Sequence, residues 1–161
     1  ALACERRPVV CRAFGLAGSP GSTRAPATHV LRATPETCWW GYIDRDEPPR
    51  LKIASGDIVE IEAVTHHAGD APDLLMDDGI RHLWESIGPE ARGPGPHILT
   101  GPIAVEGAEP GDTLAVRILS MRPRLPYGSN CAANWGLLYR SYGKERITIY
   151  GLDDNAIEGG E

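Results

Sequence analysis

The sequence has no long apolar run, and its hydrophobic stretches fall well short of the roughly 18 residues that a membrane span needs. It also lacks a C-x-x-C pair, which argues against a structural zinc ribbon. No G-x-S-x-G elbow, P-loop or dinucleotide-binding fingerprint occurs. We therefore expect no membrane partner, and neither the G-x-S-x-G hydrolases nor the nucleotide-binding enzymes find support in the sequence.

Basic residues are the scarcer charged class, with 16 against 22 acids and a formal net charge of −6. Residues 1–33 hold five arginines and one acid, so the rest of the 161-residue chain carries a net charge of −10. Proteins that follow nucleic-acid phosphates need clustered lysine and arginine. We expect no nucleic-acid partner. The negative charge of the residues after position 33 favours a neutral or cationic substrate, or it only keeps the protein soluble.

Cysteine is also sparse, with four residues at positions 4, 11, 38 and 131. We interpret them as free thiols, which indicates a reducing, cytoplasmic compartment. Cys131 is a conceivable nucleophile, but no glycine-rich helix start flanks it to activate the thiol. A buried structural thiol is the favoured interpretation of Cys131.

Glycine and proline, by contrast, are abundant, with 19 and 14 residues, and predict many turns and short strands. Val59, Ile61 and Ala63 alternate with Glu60 and Glu62, which predicts a half-buried strand with the acids on its solvent side. This strand follows Leu51–Ile53 and a Gly-Asp turn, and residues 103–118 repeat the same strand, turn and strand order. Both an internal repeat and two ordinary hairpins fit, and hairpins are favoured.

The remaining patterns complete the fold prediction. Residues 146–150 read as a further strand, and residues 73–87 predict one or two short helical turns, since Gly79 interrupts them. The fold class is therefore all-β, a β-sandwich-like domain with long loops and at most short helices. We expect residues 28–155 to form this domain. Residues 1–27 would be a flexible basic tail or extension, with a targeting peptide as the alternative, and residues 156–161 a truncated start of a further part.

Histidine carries the clearest chemical signal. Four of the five histidines fall within residues 66–97, a stretch that also holds six acids. Neutral imidazole and carboxylate are ligands of divalent metals that activate water. His66 and His67 follow a predicted strand, and on a continuing strand they would point to opposite faces, so only one could be a ligand. Surface loop histidines are the alternative, since H-H-x-x-D is not a specific motif.

His97 and the next turn supply the other candidates. His97 lies in a glycine- and proline-rich loop, residues 93–102, that constrains the backbone. Because imidazole titrates near neutrality, His97 is the best candidate for a general acid/base or a metal ligand, although a plain crossover loop is the alternative. Glu109 and Asp112 share a turn in which two carboxylates could hold a proton or a cation. A solvated turn is the alternative there.

Several motifs occur in a characteristic order over residues 28–155. They are W-G-Y at 40–42, S-G-D at 55–57, T-H-H-A-G at 65–69, H-I-L-T-G-P-I at 97–103, V-E-G-A-E-P-G-D at 105–112, G-S-N at 128–130 and E-R-I-T-I-Y at 145–150. In this order they resemble the motifs of the acetamidase/formamidase family. The H-I-L-T-G-P and G-A-E-P-G-D stretches are the most specific part of the resemblance.

The resemblance implies a fold rich in β-sandwich structure and cytoplasmic, oligomeric enzymes that hydrolyse small linear amides to a carboxylate and ammonia. Among the matching positions, His66, His97 and Glu109 are also chemically suitable. We hypothesise water activated by a divalent metal, with zinc as first choice and His66, His97 and Asp112 as ligands. Glu109 would serve as general base and then acid, and His97 as a proton carrier if not a ligand. The competing interpretation is a catalytically inactive β-domain that binds a partner, such as another copy of itself.

Overall fold

The fold is built mainly from short strands. A computed structural model describes residues 9–14, 24–64, 76–132, 137–141, 144–152 and 157–158. The strands are β1 (Val9–Phe14), β2 (Thr28–Leu31), β3 (Cys38–Trp40), β4 (Leu51–Ile53), β5 (Ile58–Ile61), β6 (Ile98–Thr100), β7 (Ile103–Val105), β8 (Ala115–Met121), β9 (Tyr127–Ala132), β10 (Arg146–Gly151) and β11 (Ile157–Glu158). The helical elements are α1 (Asp78–Ser86) and 3-10 turns at Pro89–Ala91 and Tyr139–Ser141. The prediction of an all-β fold with at most short helices is confirmed.

The largest sheet has five strands in the order β11-β8-β1-β5-β2, with β2 parallel to β5 and the other neighbours antiparallel. Two-stranded sheets join β4 to β7 in parallel, β3 to β6 and β9 to β10. The β4–β7 sheet packs on the large sheet through one apolar cluster. Its buried members are Leu31, Ile53 and Val59, flanked by Leu51, Ile61, Ile103 and Val105. Two sheets with apolar faces in contact are the arrangement of a β-sandwich.

The two similar units of the sequence do not form hairpins. β4 and β5 flank one Gly-Asp turn, but β4 pairs with β7 and β5 pairs with β1 and β2. In the same way β7 and β8 belong to different sheets, and both β5 and β8 lie antiparallel to β1. The favoured hairpin prediction is therefore wrong. Corresponding strands of the two units meet in shared sheets, as an internal repeat would place them.

A second apolar cluster surrounds α1. Asp77 caps the helix by accepting a hydrogen bond from the Ile80 N–H at 2.8 Å. Ile80, Leu83 and Ile87 lie on one helical face and pack against Trp40 of β3 and Ile98 of β6. α1 thus sits over the β3–β6 sheet that leads out of the predicted His97 loop. No helix in the described ranges has the length and apolar character to cross a membrane.

Candidate functional site

The His97 loop is held to β3 by a close contact of backbone with backbone. The Gly93 N–H donates to Trp40 O, the Gly95 N–H to Gly41 O and the Gly41 N–H to His97 O, each at 2.8 Å. A Cβ added to Gly41 would stand 2.5 Å from Gly93 O and 2.7 Å from Gly95 O. Gly41 also has φ of +86°, which favours glycine. These three glycines form the glycine crossing, which fixes the main chain from residue 93 to His97.

The His97 side chain is exposed at the end of this crossing. Its carbonyl is anchored by Gly41, and Ile98, the next residue, is buried beside α1. The structure therefore shows the predicted constrained backbone over residues 93–97, with an exposed imidazole at its end, whereas residues 98–100 of the predicted loop form strand β6. Such a group can exchange protons with a bound small molecule or bind a metal ion.

The predicted carboxylates lie in the exposed turn between β7 and β8. The Glu109 N–H donates to Asp112 Oδ2 at 2.8 Å, and the Asp112 N–H donates to Glu109 O at 3.1 Å. Asp112 therefore stabilises the turn with one carboxylate oxygen. The Glu109 carboxylate is exposed to solvent, where a substrate can reach it.

The third predicted ligand, His66, lies outside the described residues, as do His67, Asp70 and Asp73. In the part of the chain that the structure describes, no three His, Cys, Asp or Glu side chains group closely enough to hold a metal ion. His97 and Asp112 thus form no complete ligand set with described residues alone. The predicted ligand set of His66, His97 and Asp112 stays a prediction.

A buried ionic cluster, which the sequence did not indicate, lies close to these elements. Glu62, directly after β5, has a side chain only 1% exposed, and it accepts hydrogen bonds from Arg32 Nη1 at 2.7 Å and the Ala33 N–H at 3.0 Å. The expectation that Glu62 lies on the solvent face of its strand is therefore wrong. The strand ends at Ile61, so its alternation no longer governs Glu62, which turns inward toward arginines.

Arg124, which lies between β8 and β9, completes this cluster. Its Nε and Nη2 atoms donate to Asp77 Oδ2 and Oδ1 at 2.7 and 3.1 Å, and its Nη1 lies 3.8 Å from Glu62 Oε2. Burial alone would raise the pKa of Asp77, but the hydrogen bonds from Arg124 and the Ile80 N–H lower it below its usual range. We call Glu62, Asp77 and Arg124 the arginine clamp. The one feature of the sequence that points to a member of this clamp is Asp77, which with Ile80 forms the Asp-x-x-Ile pattern of a helix start.

Neighbouring β6 is tied to the clamp. Thr100 Oγ1 donates to Glu62 O at 2.8 Å and lies 3.6 Å from Cys38 Sγ. Cys38 is buried and unpaired in any disulfide, and burial raises the pKa of its thiol. A buried thiol with a raised pKa is a poor nucleophile. Cys38 therefore acts as core packing, consistent with the predicted free thiols.

A cavity of about 210 Å³ opens beside the clamp. Its walls are mostly apolar, and Arg124 contributes the charged group. The lining residues are Ile80, Pro123, Arg124, Leu125, Tyr127 and Leu152. Nε and Nη2 of this guanidinium are directed at Asp77, whereas its buried Nη1 has no hydrogen-bond partner among the described residues.

Comparison with known proteins found a family model and a curated relative that match parts of this chain. A family model described as the acetamidase/formamidase family matches residues 43–149, more than half of the 161-residue chain. A curated relative, an acetamidase of Mycolicibacterium smegmatis, is 57% identical over 42 residues. That stretch is 25% of this chain and 10% of the relative, so the match spans a tenth of the relative's length. The family resemblance seen in the sequence is confirmed.

Proposed function

The chain belongs to the acetamidase/formamidase family, and on that premise we propose that it hydrolyses small linear amides. Water adds to the amide carbonyl, the C–N bond breaks, and carboxylate and ammonia leave. The observation that carries this proposal is the family match itself, since residues 43–149 include the His97 loop and the Glu109 turn. The similar M. smegmatis protein is named an acetamidase, which favours acetamide as the first substrate to test.

Amide hydrolysis needs a proton acceptor for the attacking water and a proton donor for the departing nitrogen. We assign both tasks to Glu109, because its carboxylate is exposed and its turn is fixed by the Asp112 contact. His97, whose backbone the glycine crossing holds in place, is the alternative proton carrier where it does not bind the metal. An exposed imidazole and an exposed carboxylate suit a small, water-soluble amide that needs little apolar enclosure.

Zinc is the cofactor that we propose, held by His66, His97 and Asp112. Imidazole nitrogen and carboxylate oxygen are ordinary zinc donors, so the residue types fit the ion. When bound, zinc would lower the pKa of a coordinated water toward neutrality. We further propose a cytoplasmic homo-oligomer, which the reduced, buried Cys38 and the exposed apolar side chains of β10 support.

Replacing Glu109 by glutamine is expected to lower kcat/KM for acetamide at least about 100-fold, because glutamine cannot carry the proton. Steady-state ammonia release measures this. Glu106→Gln is the matched control, since Glu106 is an exposed acid at the same turn of the chain and plays no part in the proposed reaction. Equal turnover in Glu109→Gln and wild type would remove Glu109 from the reaction.

Removal of metal with a chelator is expected to abolish acetamide turnover, and added Zn²⁺ to restore it. His66→Ala and His97→Ala should lower the zinc content of the purified protein. His82→Ala should not, because His82 is an exposed residue on α1 that contacts Ser86 Oγ at 3.3 Å. A metal-free preparation with full turnover would refute the zinc proposal.

The second candidate function is a non-catalytic assembly module. Every residue of β10 is exposed, including Ile147, Ile149 and Tyr150, so the β9–β10 ribbon has apolar area available for a partner. The same turnover assay separates the two functions. A wild-type chain that releases no ammonia from any small amide, yet self-associates in solution, favours the assembly module.

A further inference from the structure

Tyr42 directly follows Gly41 of the glycine crossing, and 43% of its surface is exposed. Its ring meets the buried Trp39 ring in a T-shaped contact, with centroids 5.3 Å apart and an angle of 78° between the planes. A Cβ added to Gly93 would stand 2.5 Å from Tyr42 Cδ1, so the ring also lies directly against the Gly93 backbone. Tyr42 is therefore an accessible aromatic ring that two neighbours hold in place.

The His97 side chain lies on the same face of the β3–β6 sheet as Trp39. Trp40 pairs with Ile98 in the register of these strands, and both side chains pack in the apolar cluster of α1. The Gly41 N–H donates to His97 O at 2.8 Å, which continues the pairing by one residue beyond β6. Because side chains alternate between the faces of a strand, Trp39 and His97 both lie on the face away from α1.

We propose that Tyr42 is a specificity-determining residue, and that the acyl group of a linear amide packs on its ring while the amide group lies beside His97. The inference rests on the proposed function, in which His97 binds the metal or carries a proton. It names the substrate class more closely, as amides with a short aliphatic acyl group in preference to formamide. It assigns Tyr42 no proton transfer.

An aromatic ring held in this way suits a short aliphatic group. Removing apolar surface from water is favourable in proportion to its area, by about fourfold in affinity for each CH₂ group that is fully buried. The contacts with Trp39 and Gly93 already fix the ring, so binding loses little side-chain entropy at Tyr42. One half-exposed ring has area for only a few carbon atoms, which favours small amides over long ones.

The test compares Tyr42→Ala and Tyr42→Phe with Tyr139→Ala. Phenylalanine keeps the ring and removes only the hydroxyl group. Tyr139 is the matched control, because it is 42% exposed and its ring lies 5.6 Å from the Arg140 guanidinium carbon, in the 3-10 turn Tyr139–Ser141. The readouts are kcat and KM for formamide, acetamide and propionamide, and the saturation-transfer NMR signal of the propionamide methyl protons in the presence of each protein.

Tyr42→Ala should raise KM by about two- to fourfold for acetamide and about four- to 15-fold for propionamide, because each CH₂ group loses its contact with the ring. The values of kcat, and kcat/KM for formamide, should stay close to wild type, as expected when only binding of the acyl group is lost. Tyr42→Phe and Tyr139→Ala should resemble wild type for all three amides. An equal change for the three amides in Tyr42→Ala, or no change, would overturn the proposal.

The NMR signal separates this inference from the proposed function. If the wild type hydrolyses none of the three amides, the proposed function fails, and propionamide binding decides the role of Tyr42. The methyl signal should then be present with wild type and Tyr42→Phe and weaker with Tyr42→Ala. No signal with wild type, or equal signals with wild type and Tyr42→Ala, would refute the inference. If Tyr42→Ala does not fold, Tyr42→Gln replaces it in both measurements, since glutamine keeps a long side chain and removes the ring.

Discussion

Replacing Gly41 by alanine is expected to lower the free energy of unfolding by about 2–5 kcal/mol. Two costs add. A residue with a Cβ at φ of +86° loses about 1–2 kcal/mol to left-handed backbone strain. The new Cβ would also stand 2.5 Å from Gly93 O, and overpacking of this kind costs about 1–3 kcal/mol. Neither backbone segment can move aside easily, because three backbone hydrogen bonds hold the glycine crossing together.

Gly56→Ala separates the two costs. Gly56 has φ of +87°, almost the same as Gly41, but nothing lies within 4 Å of a Cβ added there. Gly56→Ala should therefore show only the backbone strain of about 1–2 kcal/mol. Urea unfolding of the three proteins under one set of conditions gives the difference. Equal losses in both variants would mean that the crossing relaxes without cost, and that it does not fix the His97 backbone.

Local patterns in the sequence predicted the local elements well. The alternation at Leu51–Ile53 and at residues 58–61 marks β4 and β5, and the Gly56 turn has the positive φ that its glycine suggests. These features depend on neighbours in the chain, so a short window of sequence contains their cause. The same holds for the glycine- and proline-rich loop before β6.

Long-range pairing was not predictable in the same way. β4 pairs with β7, about fifty residues away, although the Gly-Asp turn after β4 suggested a hairpin of β4 with β5. Glu62 looked like a solvent-facing acid because its burial depends on Arg32 and Arg124, both distant in sequence. Of the candidate site, the sequence predicted the constrained His97 loop and the Glu109 turn, but the arginine clamp requires three separate stretches to meet.

Asp57 illustrates the same limit and gives the last prediction. The sequence suggests an ordinary turn residue, yet the side chain is 2% exposed. It accepts hydrogen bonds from the Ala27 N–H at 2.9 Å, the Ala54 N–H at 3.0 Å and Arg24, and contacts His29 Nε2 at 2.9 Å. Asp57 thus connects the chain before β2 to the β4–β5 turn. Asp57→Asn should lower the free energy of unfolding by about 1–3 kcal/mol, since an NH₂ group replaces one of the two oxygens that accept from the Ala27 and Ala54 N–H groups.

The contribution of Asp57 to the free energy of unfolding should decrease as the pH is lowered. Burial alone would raise the pKa of Asp57, but the hydrogen bonds from Ala27, His29, Ala54 and Arg24 hold it well below its usual range. The unfolded chain therefore binds a proton at a higher pH than the native state, so the stabilisation is complete above about pH 5 and declines as the pH falls through about 4 toward the lowered native pKa.

Unfolding free energies of wild type and Asp57→Asn, measured from neutral pH to about pH 3, test this sign. The difference between the two proteins should shrink as the pH falls. Asp112→Asn is the control for an aspartate that also follows glycine in a turn but is exposed, and its difference from wild type should stay small throughout. A wild-type to Asp57→Asn difference that does not change across this range would contradict the lowered native pKa, because a carboxylate with equal affinity for protons in both states contributes no pH dependence.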